Sequence, residues 1–318
     1  MSPITFSGSS PNILSRFITG YKSLDLALSD KSGNFGLPGR TILELYGFTG
    51  SGKSTLAWTL AAKISKKIAL ADLEGFSPEY MKVILQSAGF DENGEVIFRQ
   101  DESDEKVLDL FEKDILTEEV QAGVVDSIGA INPISELEST MAEVSMGRRA
   151  RLVAKLSRRL THDLRFKKNP TTIFLINHCL AIIGGRGTAT SGGDVMKYLA
   201  SIRIRVSKQE MTENGDFIIE GKVEKNRYGI QNAKFQVYYL SGKGIHQGLT
   251  AANDCIYLNL ASSDRVVKMD GKSYGFWKRL VAGADDPEIF QPFIDKIKNN
   301  TGEIKHVNSN IQESTGDS

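Results

Sequence analysis

Strands that alternate with helices around a phosphate-cradling loop predict an α/β fold, with a mostly parallel twisted sheet flanked by helices and late antiparallel strands. Three observations carry this expectation. Residues 47–55, Gly47-Phe48-Thr49-Gly50-Ser51-Gly52-Lys53-Ser54-Thr55, satisfy G-x-x-x-x-G-K-[ST] in full. Apolar runs of strand length at 68–74, 122–127 and 171–176 each lead to side chains that can do chemistry: Glu74, Asp126 and Asn177-His178. Three later runs, 201–207, 217–224 and 233–240, alternate as strands of a sheet with one more exposed face.

In chain order, residues 1–16 are rich in Ser, Pro and Gly and read as a flexible lead-in, with Ile4-Thr5-Phe6 its one cohesive piece. Residues 22–27 suit a short helix, and 33–39 form a turn that delivers the chain to the first core strand. That strand, 41–46, alternates apolar and polar side chains and is expected to be half-buried. Residues 56–64 are rich in Ala and Leu and read as the helix after the phosphate loop. Ser77-Pro78 starts a helix, a hydroxyl cap followed by proline in the first turn, and Gly89 stops it. Residues 104–115 are also expected to be helical. The segment 146–168 is a helix with two faces at about 100° per residue. Arg148, Arg151, Lys155, Arg158, His162 and Arg165 gather on one, and Leu152, Val153, Leu156, Leu160 and Leu164 on the other. It reads as a core-anchored helix with a basic stripe. Residues 241–300 form a small C-terminal α/β lobe in which Gly275-Phe276-Trp277 reads as packing, and 301–318 a disordered tail.

Composition sets outer bounds. A chain of 318 residues exceeds one average domain, so one large domain (17–240) with a smaller appendage is expected. No apolar run reaches membrane-spanning length and the N-terminus has no secretory pattern, so no membrane partner is expected. Two cysteines, Cys179 and Cys255, make neither a disulfide framework nor a metal cluster, and read as reduced thiols in a cytoplasmic protein. The formal net charge is zero. Any affinity for nucleic acid must therefore come from local clustering.

The motifs imply specific chemistry. Glycines let the loop backbone turn several N–H groups toward one anion, and the following helix adds its positive end. Lys53 would reach the β- and γ-phosphates of a nucleoside triphosphate, and the Ser54 hydroxyl would ligate Mg²⁺. Asp126 would hold the same metal through its water shell. Glu74 would orient and deprotonate an attacking water. Neither site offers a covalent nucleophile, so the expected reaction is phosphoryl transfer to water by positioning and electrostatics. Near the basic stripe lie two loops, 136–147 with Met141 and Met146, and 179–195 with Ile182-Ile183-Gly184-Gly185-Arg186-Gly187 and Ser191-Gly192-Gly193. An apolar pair beside Gly and Arg can wedge between bases while amides and cations hold phosphates.

Read together, these pieces resemble the RecA recombinase family, in particular its phage-type, UvsX-like members. The stretches that carry the resemblance are Ile18-Thr19-Gly20-Tyr21-Lys22-Ser23-Leu24-Asp25, the phosphate loop, Ala71-Asp72-Leu73-Glu74, Val124-Val125-Asp126-Ser127, Phe174-Leu175-Ile176-Asn177-His178, Ser191-Gly192-Gly193 and Val223-Glu224-Lys225-Asn226-Arg227. The resemblance implies a RecA-like ATPase core in which ATP, with Mg²⁺, sits between neighbouring subunits of a helical filament on single-stranded DNA. It implies that Gly47, Gly50, Ser51, Gly52, Lys53, Ser54 and Thr55 hold the phosphates, and that Tyr80 stacks on adenine. Glu74 becomes the water-activating carboxylate and Asp126 the metal-side acid. Lys225 and Arg227 reach the γ-phosphate from the adjacent subunit, and His178 reports that phosphate to the second DNA loop. Met146, Ile182 and Ile183 supply wedges between bases, while Arg151, Arg158, Arg186, Gly192 and Gly193 contact DNA near its phosphates.

The implied activity is a DNA-dependent ATPase that pairs homologous strands. Its implied partners are single-stranded DNA, homologous duplex DNA, further copies of itself, and single-strand-binding and loader proteins. A paralogue that binds ATP and a protein partner without strand exchange is the alternative. Two departures favour the alternative: only about sixteen residues precede the match, and the second loop lacks an aromatic wedge. Subunit docking would then rest on Ile4-Thr5-Phe6 adding a strand to a neighbour.

Overall fold

The computed structural model describes residues 15–101, 103–133, 147–181, 188–190, 195–264 and 266–300. The first half of the chain runs β1 (Arg16–Phe17), α1 (Lys22–Ala27), β2 (Leu37–Pro38), β3 (Thr41–Gly47), α2 (Lys53–Ile64), β4 (Lys67–Asp72), α3 (Pro78–Ser87), β5 (Glu95–Arg99), α4 (Asp104–Leu116) and β6 (Ala122–Asp126). Next come α5 (Arg148–Phe166), β7 (Thr172–Ala181), β8 (Thr188–Thr190), α6 (Val195–Leu199), β9 (Ile202–Glu210), β10 (Phe217–Asn226) and β11 (Lys234–Leu240). The last stretch holds β12 (Gly244–Ile245), α7 (Gln247–Tyr257), β13 (Ser262–Ser263), β14 (Val267–Met269), β15 (Lys272–Gly275), α8 (Trp277–Ala282) and α9 (Pro287–Asn299).

The main sheet has the order β12-β11-β10-β9-β3-β7-β6-β4-β5, with β8 attached to β7. Its pairs from β9 to β5 are parallel, and β9, β10, β11 and β12 join antiparallel. This is the predicted class, and the period of two along the strands explains it. In β7, Phe174 and Ile176 enter one apolar cluster with Leu56, Ala57 and Leu60 of α2. Ile173 and Leu175 enter the opposite cluster with Phe111 of α4 and Leu156 and Leu160 of α5. Helices cover both faces, which is what a parallel sheet requires.

Several expectations need correction. All seven residues of β3 are buried, Glu44 included, so the strand is not half-buried; its alternation marks which helix layer each side chain meets. Glu74 does not end its strand. β4 stops at Asp72, whose Oδ1 accepts the N–H groups of Glu74 (3.1 Å) and Gly75 (2.9 Å), and this side-chain turn takes over from the ladder. β7 runs past His178 to Ala181 and pairs back with β8, Cys179 opposite Thr190, so the base of the second loop is a β-ribbon. β5 is an addition to the expected strands: a short edge strand, Glu-Val-Ile-Phe-Arg, mostly half-buried, offers little pattern to read.

The C-terminal elements form their own apolar cluster, Leu249, Cys255, Val267, Met269, Leu280, Phe290 and Phe293, built onto Tyr238 and Leu240 of β11. Trp277 stacks on Tyr238 at 5.4 Å, as its expected packing role requires, but Phe276 is 58% exposed. Asp254 of α7 accepts the N–H groups of Lys22 (2.6 Å) and Ser23 (3.1 Å) and so caps α1 from across the chain. Among the described residues no helix is long and apolar enough to cross a membrane. Ile4-Thr5-Phe6 and the tail expected at 301–318 lie outside the described residues.

Candidate active site and nucleic-acid interface

The parallel strands deliver the candidate residues to one edge, where ligands of open α/β sheets bind. Gly47 ends β3 and faces His178 across the β3–β7 pair; Asp72 faces Asp126 across β4 and β6. The glycines of the loop answer to distinct constraints. A Cβ on Gly47 would lie 2.1 Å from the Val206 carbonyl oxygen, and Gly50 and Gly52 adopt φ of +74° and +88°. The N-cap of α2 is Gly52, which has no side chain to cap it, so the first N–H groups of the helix can turn to an anion at its positive end.

Lys53 is buried and donates to the Phe48 carbonyl oxygen at 2.8 Å, folding back over the loop. Burial lowers its pKa, while Asp126 and Glu74 act to raise it. Ser54 lies next to Asp126 and acts to lower its pKa; Asp126 is 3% exposed. Burial pushes the Asp126 carboxyl up to about 7, and the charges of Glu74 and Asp72 add to this. Among the described residues its Oδ1 is buried with no hydrogen-bond partner, as is Ser51 Oγ. A buried, unpartnered carboxylate oxygen next to a hydroxyl fits a hard divalent cation that takes oxygen ligands.

Glu74 sits beside this pair. Its Oε1 accepts from the Ser127 hydroxyl and lies 2.5 Å from His178 Nε2. The His178 hydrogen bond is the main reason the Glu74 carboxyl titrates below its ordinary value, and it is half-exposed to solvent where a water could meet it. The Asp126–Ser127 peptide is cis. Tyr80, at the start of α3, is 39% exposed; its hydroxyl shares hydrogen bonds with Thr55 Oγ1 (3.0 Å) and Tyr239 (3.4 Å). The structure thus adds Asp72, Ser127 and Tyr239 to the predicted set. Asp72 was legible in principle, because Asp three residues before Gly is a turn signal.

Lys225 and Arg227 lie elsewhere. Lys225 Nζ donates to the carbonyl oxygen of Lys197 at 2.6 Å and Arg227 Nη2 to that of Tyr198 at 2.6 Å, both at the end of α6. Asn226 faces Ile202, which faces Leu43. Four residues of strand, roughly 13 Å, therefore separate that level from Gly47.

On α5 the predicted stripe forms. Val153, Leu156, Leu160 and Leu164 are buried, whereas Arg151, Lys155, Arg158, His162 and Arg165 are all exposed. Arg148 is half-buried, at the margin of the stripe. Arg159, off the stripe, is neutralised by Asp109 and Glu112 of α4. Met146, Ile182, Ile183, Arg186, Gly192 and Gly193 lie outside the described residues.

Comparison with known proteins agrees with this geometry. The family model described as the RecA N-terminal domain matches residues 7–246. The chain is similar to Protein RecA of Chlorobium limicola, 32% identical over 270 residues, covering 81% of this chain and 72% of the relative. It is also similar to Protein RecA of Fusobacterium nucleatum, 34% identical over 240 residues, covering 71% and 60%. A solved structure titled the RadB recombinase shares the fold, with a TM-score of 0.54 at 22% identity, covering 73% of this chain and 98% of its own. On its phosphate loop, its strand order and these similarities, the chain belongs to the RecA family of recombination ATPases.

Proposed function

We propose that the chain is a DNA-dependent ATPase that assembles with further copies on single-stranded DNA and pairs that strand with a homologous duplex. The observation that carries this reading is the separation of Lys225 and Arg227 from the phosphate loop of their own chain. Two cations resting on carbonyl oxygens are well placed to complete a phosphate site on a second copy. There they would stabilise transition-state charge as arginine fingers do.

Within one copy, Lys53 and the first N–H groups of α2 hold the phosphates. Ser54 and Asp126 would hold Mg²⁺, which when bound draws charge from the β- and γ-oxygens. Glu74, kept ionised by His178 and Ser127, orients the attacking water and accepts its proton. Tyr80 provides a ring for adenine, with Tyr239 behind it. Gly47, Gly50, Ser51, Gly52 and Thr55 shape the cradle. The exposed stripe Arg151–Lys155–Arg158 supports single-stranded DNA running along α5, and the resemblance adds Met146, Ile182, Ile183, Arg186, Gly192 and Gly193 as its contacts in the loops.

A row of three cations supports the duplex. Arg205, Lys222 and Lys234 stand directly opposite one another on β9, β10 and β11, lining a groove of about 530 Å³. Like charges in that arrangement repel, and a polyanion relieves the repulsion.

A mixing experiment tests the reading. Glu74→Gln protein and Lys225→Ala/Arg227→Ala protein should each be nearly inactive with single-stranded DNA, and turnover should recover when they are mixed. Recovery is expected because an interface formed by one copy of each can hold Glu74 and both cations together. Failure to recover, with both variants folded and binding DNA, contradicts a shared site. Turnover and filaments without strand exchange would favour the paralogue alternative.

A further inference from the structure

Beneath the phosphate-loop edge the chain buries a pair of opposite charges that the hydrolytic chemistry does not use. Glu44 of β3 is fully buried and Arg203 of β9 is 7% exposed. They face each other in the parallel register, and Arg203 Nε donates to Glu44 Oε2. The other oxygen, Oε1, accepts from Asn177 Nδ2 at 2.7 Å. Asn177 Oδ1 in turn accepts the N–H of His178 at 2.9 Å, and His178 Nε2 lies against Glu74. In the other direction the Arg203 guanidinium lies 4.5 Å from the centre of the Tyr46 ring, and the Tyr46 hydroxyl donates to Glu224 of β10, the residue before Lys225. The linked side chains cross β7, β3, β9 and β10 without a gap.

Stability does not account for this arrangement. Taking two charges out of water costs about as much as their attraction returns, and apolar pairs of similar volume commonly hold a fold as well or better. What the pair supplies is fixed geometry. Both Glu44 oxygens are engaged, so rotation of Asn177 leaves one buried carboxylate oxygen without a donor, and rotation of Arg203 leaves the buried charge unpaired. The ammonium of Lys225 is held below its ordinary pKa by burial first and by Arg227 and Arg203 next, with Glu44 opposing. It lies within the electrostatic reach of the pair.

We propose that Glu44 and Arg203 are positioning residues for ATP hydrolysis. They orient Asn177 so that His178 stays on Glu74, and they tie that arrangement to the strand whose end carries Lys225 and Arg227. This rests on the reading above, in which Glu74 activates water and the two cations serve a neighbouring copy. A shift of His178 at one edge then moves the strand that presents cations at the other, which couples successive sites along an assembly.

The test replaces both charges at once, Glu44→Met with Arg203→Met, in the full chain, so that no buried charge is left alone. Melting temperature should equal or exceed that of the unsubstituted protein. Affinity for a fluorescent ATP analogue should stay within about twofold, with kcat in single-stranded DNA down roughly tenfold or more at unchanged KM. Asn177→Ala, which leaves the ion pair intact, should show the same split and serves if the double variant does not fold. Undiminished kcat in either folded variant overturns the proposal. So does a fall in kcat that merely tracks a fall in ATP affinity and melting temperature. Absence of ATP turnover in the unsubstituted protein overturns the underlying reading as well, whereas normal turnover there with undiminished variants overturns only the positioning role.

Discussion

The phosphate-loop edge and the exposed face of α5 hold charge in opposite ways. At the edge, Lys53, Asp72 and Asp126 are each less than 5% exposed; Lys53 is held by the Phe48 carbonyl oxygen of the loop and Asp72 by the N–H groups of Glu74 and Gly75. On α5, Arg151, Lys155, Arg158 and Arg165 point into solvent, and among the described residues no carboxylate pairs with them. Buried charges are few, individually indispensable and little screened by salt. Exposed cations act together, weakly each, and through counterion release. The first arrangement suits a reaction that needs fixed angles. The second suits a strand that must bind in any sequence and slide off again.

Substitutions should expose that contrast, and the largest effect belongs to the edge. Glu74→Gln should lower phosphate release by about 10²–10³-fold or more while leaving ATP affinity intact, since it removes only what acts on the water. If affinity falls with the rate, Glu74 is a binding group rather than the base. On α5, Arg151→Ala with Arg158→Ala should flatten the log–log salt dependence of DNA binding by about 0.7 for each phosphate no longer neutralised. An unchanged slope would make the stripe an ordinary solvated surface. Tyr80→Ala should weaken ATP binding about tenfold through the missing base stacking, read by titration with a fluorescent analogue. Little change would place adenine elsewhere.

The smallest expected effect is on stability, and lies away from both regions. Burial pushes Asp25 and Asp254 each up to about 6. A carboxyl raised in the folded state holds its proton more tightly there than when unfolded, so its contribution is greatest at low pH and is lost as pH rises through about 6. Relative to Asp254→Asn, which keeps a capping oxygen but does not titrate, the unsubstituted protein should gain melting temperature between pH 7.5 and 5. A loss of melting temperature relative to Asp254→Asn as pH falls over that window would mean Asp254 is stabilised as the anion.

How much of this could be read in advance follows the same division. The phosphate loop is contiguous, so its nine residues carry their own meaning. Likewise α3 and α5 begin within two residues of where caps and periodicity put them, because a helix is specified by near neighbours. The proposed hydrolytic arrangement is different. His178 meets Glu74 across 104 residues, Asn177 meets Glu44 across 133, and Arg203 meets Glu44 across 159. Only strand order brings such groups together, and order is a property of the sheet rather than of any segment. Glu44 shows the point well: its polar side chain reads as the exposed half of β3, yet it is buried because a partner arrives from β9. The extension of β7 past His178 was hidden for a related reason, since its pairing with β8 closes a ribbon that neither run announces alone.

A catalytic site shared by two copies is tested most directly by turnover per protomer against dilution. With single-stranded DNA present, the rate per protomer should be constant while assemblies persist and should fall toward zero as the protein is diluted until they dissociate. A rate that is independent of protein concentration down to the monomer, and indifferent to DNA, would contradict it.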